Sequence, residues 1–184
     1  MAGWREYWRP LVGLAMLAPA ACGSTAPEQP PPLCPTTLLL EGAERTTIYR
    51  AGAEPRPSEL RYLAVLRDLT SGCRYYSGEE GAGVDVDLTF ILIAERGPAM
   101  SGSEELTYFV ATMGPDGRIL AKETLRSELA FADNEDRTGW SEDLTLRLPS
   151  VTPDEGGDYT LYIGFQLNDA ELTRRRQPVL RQTP

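Results

Sequence analysis

Several short segments of the chain alternate apolar and polar residues, and this period-two pattern restricts the fold more than any other feature. The clearest segment is 159–167, where every second residue is apolar. Residues 144–148 repeat the pattern, and so does the longer stretch 84–95. Successive side chains of a β-strand point to opposite faces, so the pattern predicts strands with one buried face. Towards the end of 84–95 the residues on both faces are apolar, which predicts that this part of the strand is buried on both faces.

Other segments complete a set of seven or eight short strands. Residues 106–113 precede Pro115-Asp116-Gly117, a tight-turn sequence that predicts a hairpin. Residues 119–131 fit the second strand of that hairpin, although good helix formers at helical spacing leave a helix open. A capped helical turn is predicted after Asn168. The remaining predicted strands are 37–40, 46–50 and 60–69.

This series of strands between Gly- and Pro-rich turns predicts an all-β, antiparallel sandwich. The sequence Asp154-Glu155-Gly156-Gly157-Asp158-Tyr159 resembles the corner before the penultimate strand of immunoglobulin-like domains. Leu161 stands where an antibody domain has a disulfide cysteine. The resemblance therefore implies an immunoglobulin-like or fibronectin-like sandwich of seven to eight strands, with a short C-terminal helical turn.

The N-terminus has the anatomy of an export signal. Residues 1–10 carry two arginines and one glutamate, and residues 11–21 are apolar and uncharged. The apolar run is too short to span a bilayer, which needs about 20 residues. It ends in Ala20-Ala21-Cys22, and here the chain resembles bacterial lipoprotein precursors, in which such a cysteine becomes the lipid-bearing N-terminus. An ordinary secreted protein with a spare Cys22 thiol is the alternative.

This resemblance implies a division of the chain and a location. Residues 1–21 are expected to be a signal peptide, 22–33 a lipid-anchored proline-rich linker, 34–168 the sandwich domain, and 169–184 a helical turn with a basic tail. By similarity to sorting in Gram-negative lipoproteins, the residue after Cys22 favours the outer membrane, with the domain facing the periplasm. We expect the membrane, reached through the lipid, and another envelope protein to be its partners.

The three cysteines fit an exported protein. If Cys22 carries lipid, Cys34 and Cys73 remain as an even pair, and an oxidising compartment favours a disulfide between them. Two unpaired buried thiols are the alternative.

The composition excludes several functions. The chain contains no histidine, so a Ser-His or Cys-His catalytic pair and a histidine-containing zinc site are impossible. Its net charge of −9 is unfavourable for nucleic-acid binding. No motif calls for a cofactor or a resident metal.

Four residues remain as candidate ligand or cation contacts. Asp85 and Asp87 are two apart on one predicted strand face, so their carboxylates would project together. Such a pair can act on glycosides or help to hold calcium, but it is equally typical of a solvated strand face. Tyr75 and Tyr76 could stack on a sugar or contact a partner. The sequence therefore favours a non-catalytic binding or structural module, with a carboxylate-dependent glycan hydrolase or a small-ligand carrier as alternatives.

Overall fold

A computed structural model describes residues 31–79 and 81–176. The predicted signal peptide, Cys22 and most of the predicted linker lie outside these residues, as does the end of the tail. The described strands and helix belong to one unit, Pro32–Pro184. In the part of the chain that is described, no helix is long and apolar enough to cross a membrane.

Within residues 31–79 and 81–176, eight strands are followed by one helix. Two single 3-10 turns, Pro57–Glu59 and Gly156–Asp158, interrupt the loops. The elements in chain order are β1 (Thr36–Leu39), β2 (Arg45–Tyr49), β3 (Leu60–Gly78), β4 (Gly81–Arg96), β5 (Glu104–Met113), β6 (Ile119–Leu129), β7 (Arg137–Pro149), β8 (Thr160–Phe165) and α1 (Asp169–Arg176).

The strands form two four-stranded sheets, in the orders β1-β8-β5-β6 and β2-β3-β4-β7. The inward phases of β4, β5 and β8 fill the space between the sheets, and the largest buried rings are Phe90, Tyr108 and Phe165. Phe90 and Tyr108 meet edge to face at 5.6 Å between ring centroids. The predicted all-β sandwich with a short C-terminal helix is therefore confirmed.

Some predicted boundaries change. Residues 119–129 form a strand because the turn before them delivers them beside β5, where Leu125 pairs with Tyr108. Strand β3 runs well past residue 69, through a bulge at which Asp68 has a φ of 54°. The end of β4 was expected to be covered on both faces. Ile91 and Ile93 are only half-buried, because they lie on the outer face of β4, which points away from the other sheet. Tertiary pairing, which no local pattern encodes, sets these limits.

The strand order matches an immunoglobulin-like sandwich in six positions. Such domains place strands A, B, E and D in one sheet and C, F and G in the other, which C′ joins in variable-type domains. Here β3-β4-β7 occupy the places of A-B-E, and β6-β5-β8 those of C′-C-F. The place of G is taken by β1, which comes from the opposite end of the domain and runs parallel to β8.

The first strand is tied to both sheets. Thr36–Leu39 pairs with β8, and the Thr37 hydroxyl lies 2.8 Å from that of Ser71 on β3. A disulfide joins Cys34 to Cys73, with 5.7 Å between their Cα atoms, as the cysteine count predicted. The start of the domain is therefore held to β8 by main-chain pairing and to β3 by a covalent bond.

Helix α1 protects the free edge of β2. Glu171 and Asn168 exchange hydrogen bonds at the helix start, which is the reciprocal pattern of a capping box. Glu171 also accepts from Thr47 N at 2.9 Å, and Arg174 donates to Thr47 O at 3.3 Å. Arg175 donates to the carbonyl oxygens of Gly42 and Arg45. Side chains of the helix thus satisfy main-chain groups that an edge strand otherwise leaves open.

Candidate binding cleft

The two candidate carboxylates lie on the outer face of β4, and each is held by a neighbouring strand. The Asp85 carboxylate accepts hydrogen bonds from both Nε and Nη2 of Arg147 on β7, at 2.9 and 3.2 Å. Asp87 accepts from Arg74 on β3 at 3.1 Å and from the Thr145 hydroxyl at 2.7 Å. Opposite charges directly across an antiparallel pair stabilise strand register. The arrangement is a cross-strand lattice in which each oxygen of both carboxylates accepts a hydrogen bond.

The protonation of Asp85 follows from this lattice. The hydrogen bonds and charge of Arg147, together with the charge of Arg74, lower the pKa of the Asp85 carboxyl below its usual 3.8. A general acid in a glycosidase needs the opposite shift, since it must hold a proton near neutral pH. Asp85 is therefore an ionised carboxylate engaged by arginine.

The adjacent tyrosines do not form a joint platform, because consecutive residues of β3 point to opposite faces. Tyr75 points inwards against the core, and its hydroxyl donates to Leu33 O at 2.5 Å. Burial, and to a smaller extent the charge of Asp154, raise the pKa of that hydroxyl. Tyr76 lies on the outer face, with the Arg147 guanidinium 4.5 Å from its ring centroid. Both tyrosines thus have structural contacts.

The two sheets meet at the edges formed by β6 and β7, and Glu142 bridges them there. Its carboxylate accepts from the Ser127 hydroxyl on β6 and from Trp140 Nε1, each at 2.7 Å. The Tyr108 hydroxyl on β5 donates to the other oxygen at 3.3 Å. Burial and the Glu142 charge raise the pKa of Tyr108 far above 10. The Glu142 carboxylate therefore links the two sheets by hydrogen bonds at this part of the seam, which is the line along which the edges of β6 and β7 meet.

Towards the β5–β6 turn the same seam is open. A cleft of about 270 Å³ lies between the first residues of β6 and the last residues of β7. Leu120 stands at its mouth and is 56% exposed. Glu123 and Arg147 supply charges beside this apolar lining. The larger apolar and aromatic side chains that line the cleft are Leu120, Leu146, Leu148, Val151 and Tyr159.

The strands that flank the cleft have unused edges. Strand β6 pairs only with β5, and β7 pairs only with β4, among the strands described. An unpaired edge next to apolar pockets can accept an added strand from another chain. This cleft with its two edges is the arrangement best suited to recognition. The sequence pattern did not indicate it, because it is formed by residues far apart along the chain.

No protein-family model, curated protein or solved structure shows a significant match to this chain. Within the residues that can be described, no three or more cysteine or acidic side chains are grouped to hold a metal ion.

Proposed function

We propose that the protein is a lipid-anchored, non-catalytic binding module of the bacterial envelope, which faces the periplasm and recognises a segment of another envelope protein. The observation that carries this proposal is the open cleft between β6 and β7. It combines an apolar lining with two unpaired strand edges. The paired state of Asp85 and Asp87 argues against a carboxylate-dependent hydrolase.

The attachment of the chain to the domain supports a tethered role. Leu33 N donates to Pro153 O, and Leu33 O accepts from Tyr75, so the last linker residue is bound on both sides. The next residue is the disulfide cysteine Cys34. A force applied through residues 22–33 would therefore reach β3 through a covalent bond. Such reinforcement suits a domain that hangs from a lipid at Cys22.

The cleft favours an extended polypeptide with an apolar anchor. In strand addition, main-chain hydrogen bonds give affinity, and pockets for alternate side chains give specificity. A cleft of about 270 Å³ is large enough for one such side chain between Leu120 and Leu148. The main chain of the partner would then pair with β6 or β7.

A pair of neighbouring substitutions tests this proposal. Leu120→Glu places a charge at the mouth of the cleft, whereas Ile119→Glu changes a more exposed neighbour that does not line it. We expect Leu120→Glu to abolish co-purification of the partner from detergent-solubilised envelopes, and Ile119→Glu to retain it. Equal recovery with both variants would reject the cleft as the binding site.

The anchor is tested separately by metabolic labelling with a fatty-acid analogue. The wild-type protein should be labelled and the Cys22→Ser variant should not. Equal labelling of the two proteins would contradict the lipid anchor without bearing on the cleft.

The apolar lining also favours a second candidate, a carrier of a small apolar ligand. Such a ligand would occupy the cleft and be retained through purification. Native mass spectrometry of the envelope-purified protein should then show an added mass that Leu120→Glu removes. A single apo mass, together with no saturable binding of an apolar dye, would leave the polypeptide partner as the function of the cleft.

A further inference from the structure

A second hollow lies on the outer face of the sheet β2-β3-β4-β7, at the opposite end from Asp85 and Asp87. Its floor contains Leu63, Val65 and Ile93, and its volume is about 230 Å³. Val65 pairs with Ile93 across β3 and β4, and Gly139 on β7 lies beside Ile93 without a side chain to cover it. These half-buried aliphatic residues are thus accessible to solvent on the outer face of the sheet, which the other sheet does not cover.

Arginines surround this apolar floor. Arg45, Arg67 and Arg137 are exposed on β2, β3 and β7 and line the same hollow. In the described parts of the chain, none of the three has an ion pair or a side-chain hydrogen bond, whereas Arg74 on the other half of the face is paired. Among the described residues that line this hollow, Glu95 supplies the one carboxylate. The two halves of one sheet face therefore differ sharply in charge.

The positive region continues around the edge of β2. A neighbouring hollow of about 320 Å³ shares Arg45 with the first and is also lined by Tyr49, Glu171, Arg174 and Arg175. The carboxylate of Glu171 is occupied by Thr46, Thr47 and Asn168, and Arg174 and Arg175 bond main-chain oxygens. The described residues that line the two hollows include five arginines and two glutamates, a local charge of +3 in a chain of −9.

We propose that these two hollows form a docking surface for a bilayer that contains anionic phospholipids. Guanidinium groups bind phosphate through paired hydrogen bonds, and basic groups near an anionic membrane each add to binding. The aliphatic floor beside them is suited to the boundary between headgroups and acyl chains. The inference rests on the proposed function, because the lipid at Cys22 is what brings the domain to the membrane.

This docking orients the molecule. The outer face of β2-β3-β4-β7 lies against the bilayer, and the cleft between β6 and β7 opens sideways along it. Screening limits the effect of distant charges, so the local charge of +3 in the two hollows acts on the headgroups more strongly than the net charge of −9. The lipid tether then keeps the domain at the membrane, and the docking surface determines which face of the domain meets it.

The experiment measures vesicle binding without the lipid anchor. The oxidised chain from residue 22, with Cys22→Ser, is sedimented with phosphatidylcholine vesicles or with vesicles that contain about a third phosphatidylglycerol. We expect binding to the anionic vesicles alone, and we expect it to weaken as salt is added. Binding to neither vesicle type would overturn the proposal.

Matched triple variants locate the surface. Changing Arg45, Arg67 and Arg137 to Gln should weaken binding about fivefold for each arginine removed. Changing Arg56, Arg118 and Arg126 to Gln alters the net charge equally, but these side chains pair with Glu54, Asp116 and Glu105 elsewhere, and binding should remain. Equal weakening by both triple variants would refute the assigned site. Circular dichroism of each variant confirms that it is folded.

Two further probes separate the lipid surface from other anions. If inorganic phosphate or polyglutamate binds through Arg45, Arg67 and Arg137 while anionic vesicles do not, the surface recognises a free anion or an acidic protein, and the proposal is wrong. The variant Leu120→Glu should keep vesicle binding intact. Loss of vesicle binding in the arginine variant with retained partner binding would confirm that this surface is separate from the cleft.

Discussion

The carboxylate of Glu171 accepts a hydrogen bond from the Thr46 hydroxyl at 2.7 Å, although the two residues are 125 positions apart. Both residues are buried. The same carboxylate also accepts from the main-chain nitrogens of Thr47 and Asn168. A single side chain thus caps the start of α1 and satisfies the edge of β2.

Replacing Glu171 should therefore destabilise the whole domain. In Glu171→Ala three donors lose their acceptor, one of them in a buried hydrogen bond and two in partly buried ones, so we expect the free energy of unfolding to fall by about 2–4 kcal/mol. Asp169→Ala, in the same helical turn but exposed, should change it by less than about 0.5 kcal/mol. Urea unfolding followed by circular dichroism checks both values. An equal effect of the two substitutions would show that the Thr46 contact contributes nothing.

The disulfide should contribute more than any single hydrogen bond. It closes a loop between residues 39 positions apart, which the chain-entropy model equates with about 4 kcal/mol. We expect the double variant Cys34→Ala, Cys73→Ala to lose that much unfolding free energy and to expose β1 to hydrogen exchange. Cys22→Ser removes a cysteine outside the bridge and should leave both measurements unchanged. Retained protection of β1 in the double variant would show that strand pairing alone holds it.

The strands could be predicted from the sequence where one face is buried and the other exposed, because apolar and polar residues then alternate. The inward residues of β4 and β8 carry a clear period of two, and their phase survives in the structure. The place of β1 beside β8 could not be predicted, because parallel pairing between distant segments leaves no local period. The length of β3 was missed for a related reason, since a bulge at Asp68 shifts the phase.

The candidate sites were harder to predict than the fold. The sequence placed Asp85 and Asp87 on one face but could not show that arginines from β3 and β7 engage both of them. The sequence interpretation gave Tyr75 and Tyr76 one shared role as ligand contacts, although adjacent strand residues point to opposite faces. Alternation would have separated these tyrosines. The cleft depends on how far β6 and β7 diverge, and no sequence pattern reports that distance.

The Asp85–Arg147 pair predicts a pH dependence of stability. Because the folded pKa of Asp85 lies below its unfolded value of about 3.8, the pair stabilises the fold above that pH. The contribution is lost as the pH falls below about 3.8 towards the folded pKa. In Arg147→Met the carboxyl pKa should rise, as followed by NMR titration of the Asp85 side chain. Lys122→Met removes an exposed cation elsewhere and should leave this titration unchanged, whereas an unchanged titration in Arg147→Met would contradict the pairing.

Two glycines on the outer face should differ in their tolerance of a side chain. A Cβ at Gly83 would overlap Leu148 O and the ring of Tyr76, whereas a Cβ at Gly72 meets nothing within 4 Å. We expect Gly83→Ala to lower the free energy of unfolding by about 1–3 kcal/mol. Gly72→Ala should leave it unchanged or raise it by about 0.5 kcal/mol, since alanine is less flexible when unfolded. Chemical unfolding compares them, and similar stability of both variants would show that the Leu148 main chain and the Tyr76 ring can both move aside.

Glu142 should determine the ionisation of Tyr108. Burial is the largest cause of the raised Tyr108 pKa, and the charge and hydrogen bond of Glu142 add to it. In Glu142→Gln the charge is lost and burial remains, so the Tyr108 pKa should fall but stay above 10. The Gln amide can keep its oxygen towards Ser127 and Trp140 and turn its nitrogen, a donor, towards the Tyr108 oxygen, which also favours the tyrosinate.

Tyrosinate absorbance during an alkaline titration, with Tyr108→Phe as the reference that assigns the signal, measures this change. Glu123→Gln, at an exposed position on β6, provides the matched removal of one carboxylate. It should not alter the Tyr108 transition, since Glu123 is not among the groups that raise this pKa. If both variants lower the Tyr108 pKa equally, the effect comes from the net charge of the domain, and the contact across the seam does not control the ionisation.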